Sequence, residues 1–291
     1  MTHQPSAATF ALFETRPLSP SIGAEIHGLD LSRDLDDPTV AELRRALLTY
    51  KVIFFRDQDI TRAQHIAFAR RFGELEIHPA TPKSQPDPEV LHIAHGPDSR
   101  GKENAWHSDV TWRETPSLGS ILRAVELPPV GGDTLFCDMY AAYESLSPAM
   151  KDWVCGLSAV HDIARVFAGR LGKDRDELHA QFPPMTHPVV RTHPETGRSA
   201  LYVNTAFTDH IVGLSRKESD WLLAHLYAQA AVPEHQCRFV WRPNSIAFWD
   251  NRSSQHYAAS DYFPQVRRME RVTIAGDRPY FDPNRKAASA I

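Results

Sequence analysis

Cysteine is scarce in this chain. Cys137, Cys155 and Cys237 are the only three in 291 residues. They are far apart and in no C-x-x-C spacing, so nothing suggests a disulfide framework or a thiolate metal site, and a reducing compartment suits them. No stretch reaches the roughly 20 apolar residues of a membrane span. Met1 to Phe10 lacks the basic segment and apolar run of a secretory leader, so the expected location is the cytoplasm, away from any membrane. Surplus positive charge is missing too. With 32 Lys and Arg against 36 Asp and Glu, the net charge is −4, which argues against nucleic acid as a partner because phosphate binding draws on a basic surface. Internal repeats and low-complexity tracts are also missing. What is present is a globular composition, 42% hydrophobic and 23% charged, together with 15 histidines.

Local patterns outline the elements. Residues 1–20, rich in Thr, Ser, Ala and Pro, read as a loosely held tail or an edge strand. Period-two alternation from Ala24 to Leu31 predicts a short strand. A helix is expected from Val40 to Thr49, then a buried strand at Val52-Ile53-Phe54-Phe55. Thr61-Arg62-Ala63-Gln64 and Ser215-Arg216-Lys217-Glu218 have the form of capping boxes, opening helices that run to about Gly73 and Ala230. Strands are predicted from Leu118 to Leu127 and from Thr134 to Cys137, with a turn at Val130-Gly131-Gly132-Asp133 between them. Helical segments follow from Tyr140 to Leu146 and from Ser147-Pro148, where proline suits the first helical position. Pro194-Glu195-Thr196-Gly197 signals a hairpin. A second hairpin is expected between Arg238-Phe239-Val240-Trp241 and Ser245 to Trp249, around Pro243-Asn244. From Ile77 to Glu103 the prolines at 79, 82, 86, 88 and 97 predict a long loop, either an active-site lid or a disordered insertion. The pattern is mixed α and β with a sheet-rich core, compatible with a jelly roll, and the length suits one large domain or two small ones.

The chemistry concentrates in Trp106-His107-Ser108-Asp109-Val110-Thr111-Trp112. Side chains two apart in an extended segment point to the same side, so His107 and Asp109 can address one divalent metal. Two ligands do not hold a metal in water. The best third donor is His256, in Trp249-Asp250-Asn251-Arg252-Ser253-Ser254-Gln255-His256-Tyr257. Two imidazoles and a carboxylate on one face of an octahedron leave three positions open, as in non-haem Fe(II) oxygenases. An H-x-D triplet also arises by chance in a histidine-rich chain. Downstream, Arg267-Arg268-Met269-Glu270-Arg271-Val272-Thr273-Ile274-Ala275 reads as a strand with 267, 269, 271 and 273 on one face. Two planar, permanently charged forks projecting together call for anions.

These residues resemble the taurine dioxygenase-like (TauD/TfdA) family of Fe(II)- and 2-oxoglutarate-dependent dioxygenases. The resemblance rests on Trp106 to Thr111, Gly131-Gly132-Asp133-Thr134, His187-Pro188-Val189-Val190-Arg191-Thr192-His193-Pro194, Trp249-Asp250-Asn251-Arg252 with His256, and the arginine pair. It runs from about Gly23 to Tyr280. It implies an α+β fold with a mainly β core, a double-stranded β-helix (jelly roll) wrapped by helices, with the metal at its mouth. It also implies one catalytic domain over residues 1–291, with 77–103 as lid and 281–291 as tail.

By the same resemblance, His107, Asp109 and His256 bind Fe(II), and Arg267 and Thr134 hold the distal carboxylate of 2-oxoglutarate. A dianion that chelates metal at one end needs a charge-matched anchor at the other, which fits an arginine and a hydroxyl donor. Thr134 alone is equally an ordinary strand threonine after a Gly-Gly turn. 2-Oxoglutarate and O2 would be cosubstrates, giving succinate and CO2 while a substrate C–H is hydroxylated. In taurine enzymes the substrate residues correspond to His78, Phe167, Phe207 and Arg271, all present here. The implied substrate is a small anionic sulfonate or sulfate, first of all taurine, which would give sulfite and aminoacetaldehyde in sulfur metabolism.

Two positions depart from the taurine pattern. Thr81 stands where those enzymes carry tyrosine, and Glu103 where they carry asparagine, with Asn104 next to it able to fill that role instead. Other readings stay open: the same chemistry on an alkyl sulfate ester or aryloxyalkanoate, a zinc hydrolase using the same three donors, or a non-catalytic β-sandwich module. The zinc reading leaves Arg267 and Thr134 unexplained. His161, His187, His193 and His210 read as structural or surface residues. A homodimer or homotetramer is expected only from the commonness of closed symmetric assemblies.

Overall fold

The computed structural model describes residues 9–79, 81–82, 84–169, 172–285 and 287. Strand β1 (Glu14–Pro17) forms the edge of the largest sheet and pairs with β2 (Ala24–His27), so the edge-strand reading holds for Glu14–Pro17, and residues 1–8 lie outside the described part. Helix α1 (Asp37–Tyr50) begins where the Asp36 side chain accepts from the Thr39 amide, satisfying a donor that has no intrahelical partner. Leu43, Ala46, Leu47 and Tyr50 then form the buried stripe. Lys51 reverses the chain at φ 63° into β3 (Val52–Phe55), whose four residues are all buried. Alternation explains this: Ile53 and Phe55 face the cluster built with α1 and α2 (Arg62–Arg70), while Phe54 faces the opposite cluster. At the start of α2, Thr61 and Gln64 form the expected reciprocal cap.

The rest of the eight-stranded sheet comes from β4 (Leu75–Glu76), β5 (Val90–His95), β6 (Gly119–Glu126), β14 (Ile246–Asp250) and β16 (Arg267–Ile274). A three-stranded sheet, β13 (Gln236–Phe239), β7 (Thr134–Asp138) and β15 (Ser254–Ala258), lies against it. Leu122, Ala247, Trp249 and Met269 from the first meet Phe136, Cys237 and Phe239 from the second, and the Phe54 and Phe239 rings stack at 4.0 Å. Fully burying each such aromatic stabilises by about 1.5–3 kcal/mol. Helices α3 (Met139–Glu144), α4 (Pro148–Val154), α5 (Ala164–Phe167), α6 (Arg175–Gln181) and α7 (Arg216–Ala228) accompany a further sheet of β8 (Ser158–His161), β9 (Met185–Pro188) and β12 (Thr208–Ile211), and the hairpin β10 (Val190–Thr192) with β11 (Ser199–Leu201). The architecture is α+β, with one core cluster between the two facing sheets and two larger ones where helices pack on strands. Among the described residues no helix is long and apolar enough to cross a membrane.

Three expectations change. The hairpin around Pro243-Asn244 does not form, because β13 pairs with β7 whereas β14 pairs with β3 and β6; the turn carries the chain from one sheet to the other. The stretch 77–103 contains β5, paired along β16 from Arg267 to Val272; its residues Ala80 and Lys83 lie outside the described part. The tail from 281 starts docked, with Phe281 against the helical core and the Asp282 amide donating to Thr192 Oγ1 at 2.9 Å.

One buried residue sets a pH dependence. His65 is fully buried on α2, with Nε2 3.1 Å from the Ile121 carbonyl, and burial pushes its pKa from 6.5 down to about 4. Between those values the unfolded chain takes a proton that the folded one refuses. Its contribution to stability is therefore complete above pH 6.5 and lost as pH falls towards 4, at about 1.4 kcal/mol per pH unit per proton. Other buried histidines add to the slope over this range, and His65→Leu should reduce the slope seen by urea unfolding by one proton. An identical slope in the variant would contradict the assignment.

Candidate metal and oxyanion site

His107 and His256 face each other as a single antiparallel bridge, exchanging N–H to O=C bonds at 3.1 and 2.8 Å. Direct pairing puts the two side chains on the same side, and the ring centroids are 4.1 Å apart. His107 Nδ1 sits 2.8 Å from the Ala105 carbonyl, which assigns it the proton and turns Nε2 towards Asp109, 3.9 Å away. Asp109 ends the extended segment, and Val110 follows at φ 48°. The three donor atoms lie within 4.8 Å of one another and could hold a metal ion.

The electrostatics suit such an ion. Burial opposes ionisation of Asp109, yet the Arg271 guanidinium and both imidazoles hold its carboxyl well below the usual carboxylate range. Arg271 Nη1 donates to Asp109 Oδ1 at 2.6 Å and Ser120 Oγ to Oδ2 at 3.1 Å. Burial, then His107 and Arg271, push His256 down to about 3, so it stays neutral, as a metal-ligating imidazole must. Its Nδ1 is buried without a hydrogen-bond partner.

From His107 and His256 a cavity runs to Thr134, Tyr262 and Arg267. Arg267 leaves β16 on the same face as Met269 and Arg271, as the period-two reading expected. Its Nε donates to the Gly132 carbonyl at 3.1 Å, and its Nη2 is buried with no partner. Gly132 has φ 73°, and a Cβ there would lie 3.0 Å from the Arg267 Cδ and Nε atoms, so both backbone and space favour glycine beside the guanidinium. Thr134 Oγ1 accepts from Trp241 Nε1 at 3.0 Å, which leaves the hydroxyl hydrogen to donate elsewhere. A buried cation with an open donor beside a hydroxyl fits the remote carboxylate of a dianion.

The expected substrate residues divide. Phe207 lies 6.2 Å from the His107 ring, Phe167 stacks on Phe207 at 6.5 Å, and His78 is 6.3 Å from Phe167. Burial, then Arg271, push His78 down to about 3. Glu103 instead joins the Arg267 side of the cavity, where its carboxylate meets His95 Nε2 at 3.1 Å and acts on Tyr262 and Arg267. Asn104 is exposed. His161, His187 and His193 are buried structural groups, and His210 is half-buried against Asp209. Sequence reasoning missed Ser120, Trp241 and Asn251; only Asn251 carried a signal, in Trp249-Asp250-Asn251-Arg252.

The profile of the taurine catabolism dioxygenase TauD, TfdA family matches residues 14–273. The chain belongs to the TauD/TfdA family. Among TauD/TfdA relatives, it is 36% identical over 275 residues to an alpha-ketoglutarate-dependent sulfate ester dioxygenase of Pseudomonas putida, covering 91% of this chain and 90% of that one. It is 35% identical over 276 residues to an (S)-phenoxypropionate/alpha-ketoglutarate-dioxygenase of Sphingobium herbicidovorans, covering 91% and 96%. The crystal structure of a taurine dioxygenase from Burkholderia xenovorans superposes with TM-score 0.82 at 40% identity, over 97% of this chain and 95% of that one. This TauD/TfdA protein is therefore a dioxygenase dependent on 2-oxoglutarate, the compound also called alpha-ketoglutarate. Family membership sets aside the zinc hydrolase and the non-catalytic module.

Proposed function

We propose that the protein is an Fe(II)- and 2-oxoglutarate-dependent dioxygenase of a small organic sulfonate, with taurine the leading one. His107, Asp109 and His256 would hold the metal, and Arg267 with Thr134 the distal carboxylate of 2-oxoglutarate. The observation that carries this reading is the buried Arg267, whose Nη2 has no partner and which lines one cavity with His107 and His256. When bound, iron would activate O2, the oxidant, with 2-oxoglutarate giving up two electrons as it becomes succinate and CO2, and a substrate C–H bond would be hydroxylated.

The chain's own residues bind, orient and exclude water. Arg267 fixes the remote end of the cosubstrate, and the Trp249 and Phe136 rings, 4.8 and 6.1 Å from the His256 ring, keep that side of the site dry. Arg271 holds Asp109 through Nη1 and keeps a buried, unpartnered Nε, suited to an oxyanion of the substrate. Phe167 and Phe207 would wall the substrate's body beside His107. Hydroxylation of taurine at the carbon bearing sulfur gives an adduct that collapses to sulfite and aminoacetaldehyde.

The stacked Phe167 and Phe207, with Glu103 on the cosubstrate side, favour a second reading in which the substrate body is apolar, as in an alkyl sulfate ester or aryloxyalkanoate. Fe(II)-loaded protein given taurine should release sulfite in step with succinate. 2-Oxoglutarate consumption with hexyl sulfate or phenoxyacetate, and no sulfite from taurine, would move the substrate to the second reading.

We also read the two facing sheets as a double-stranded β-helix in a single catalytic domain spanning the chain, with 77–103 as its lid. Support for the lid comes from its ends, where Glu103 lines the cavity and His78 lies 6.3 Å from Phe167, while β5 between them is a strand of the main sheet. A cytoplasmic setting is supported by Cys137, Cys155 and Cys237 being free thiols.

A further inference from the structure

The turn between β14 and β15 delivers His256, and the same turn reaches back to the segment that carries the other two donors. Asn251, fully buried in it, accepts from the Asp109 amide through Oδ1 at 2.6 Å. Its Nδ2 donates to the Asp109 carbonyl at 2.9 Å and to the Ser117 carbonyl at 3.2 Å. Its own amide donates to the Leu118 carbonyl at 2.9 Å. One side chain thus satisfies both backbone groups of Asp109, as a neighbouring strand would.

That grip matters because the next residue is strained. Val110 has φ 48°, a region a β-branched residue rarely adopts and keeps only where its surroundings hold it. The turn that presents Asn251 is itself braced. Asp250 faces His193 Nε2 at 3.0 Å and accepts from Arg252 Nε and Nη2 at 2.9 and 2.8 Å, all buried. A carboxamide carries an acceptor and a two-hydrogen donor on one plane, so it can accept from the Asp109 amide while donating to two carbonyls. An aspartate at 251 would set an oxygen against the Asp109 and Ser117 carbonyls and add a second negative charge beside the first.

We propose that Asn251 is a positioning residue of the metal site, joining the Asp109 segment and the His256 turn into one unit so that the carboxylate meets both imidazoles. The proposal rests on the reading of His107, Asp109 and His256 as metal ligands. Calorimetric titration of the metal-free, full-length protein with Mn(II) tests it, with wild type, His107→Ala and the nearly isosteric Asn251→Asp side by side. The expected result is Mn(II) binding by wild type, its loss in His107→Ala, and binding about 10–100-fold weaker in folded Asn251→Asp, the range for residues that orient metal ligands.

A residue that served only structure would lower the melting temperature and leave the Kd of the folded variant unchanged, and that outcome overturns the proposal while the ligand reading stands. Wild type that binds no Mn(II) overturns both. Should Asn251→Asp fail to fold, hydrogen exchange of the wild-type, metal-free protein decides. An Asp109 amide that exchanges only through global unfolding supports the clamp, and one that exchanges like an open loop overturns it.

Discussion

Asp109→Ala is expected to leave the protein unable to retain Fe(II) or Mn(II), with 2-oxoglutarate turnover down at least about a thousandfold, or about 4 kcal/mol of transition-state stabilisation. Two imidazoles alone compete poorly with water for a divalent ion. The same change strands Arg271, which is 8% exposed and donates to Asp109 at 2.6 Å. Breaking a buried ion pair by removing one partner costs about 3–5 kcal/mol, so the metal-free variant should also unfold at lower urea. His256→Ala separates the two effects, since it removes a metal donor and leaves the Arg271–Asp109 pair in place. It should lose metal with a much smaller loss of stability. Metal content after gel filtration and urea midpoints for the two variants check this. Stoichiometric metal in Asp109→Ala would contradict the ligand assignment.

Arg267→Ala should weaken 2-oxoglutarate binding by at least about 30-fold, because truncating one partner of a buried charge pair costs about 2–5 kcal/mol. On the proposed reading Arg267 would reach a part of the cosubstrate that does not react, so its contribution would be the same in ground and transition states. The KM for 2-oxoglutarate should rise while kcat at saturation changes little. Arg267→Lys keeps the charge and loses the fork, and should fall between wild type and alanine. Initial rates against 2-oxoglutarate measure both quantities. A large fall in kcat with KM unchanged would mean that Arg267 acts on the reacting centre instead.

Local rules made much of the frame legible. The cap at Thr61 and the cap at Ser215 appear as the S/T-x-x-E/Q pattern requires, and Pro148 opens α4 behind its Ser147 cap. Strand alternation placed Arg267 and Arg271 on one face, and the structure has both pointing into the space between the sheets. What local rules miss is pairing between distant segments. Nothing in Arg238 to Trp249 says that its two strands join different sheets. Pro-rich composition from Ile77 hid β5, whose residues are held by β16 and not by any strong pattern of their own.

At the site the same divide holds. His107, Asp109 and His256 were legible because residue type and spacing state a chemistry. Glu103 and Asn104 were ambiguous because neighbours in sequence face different ways once a loop bends, and the structure exposes one and sets the other against His95. The sequence could not say that Arg271 would rest on Asp109, since a guanidinium takes the nearest anion whichever segment supplies it. Asn251 was visible as part of a motif and silent as to role, because its partners are backbone atoms 142 residues away in sequence.

On the proposed reading, one site would hold Fe(II) on His107, Asp109 and His256 and the far carboxylate of 2-oxoglutarate on Arg267. Anaerobic titration of the metal-free protein with Fe(II) and 2-oxoglutarate, read by visible absorption, tests it most directly. A weak charge-transfer band that requires both additions, and shifts when the substrate is added, is the predicted result. Binding of both with no such band would contradict the account.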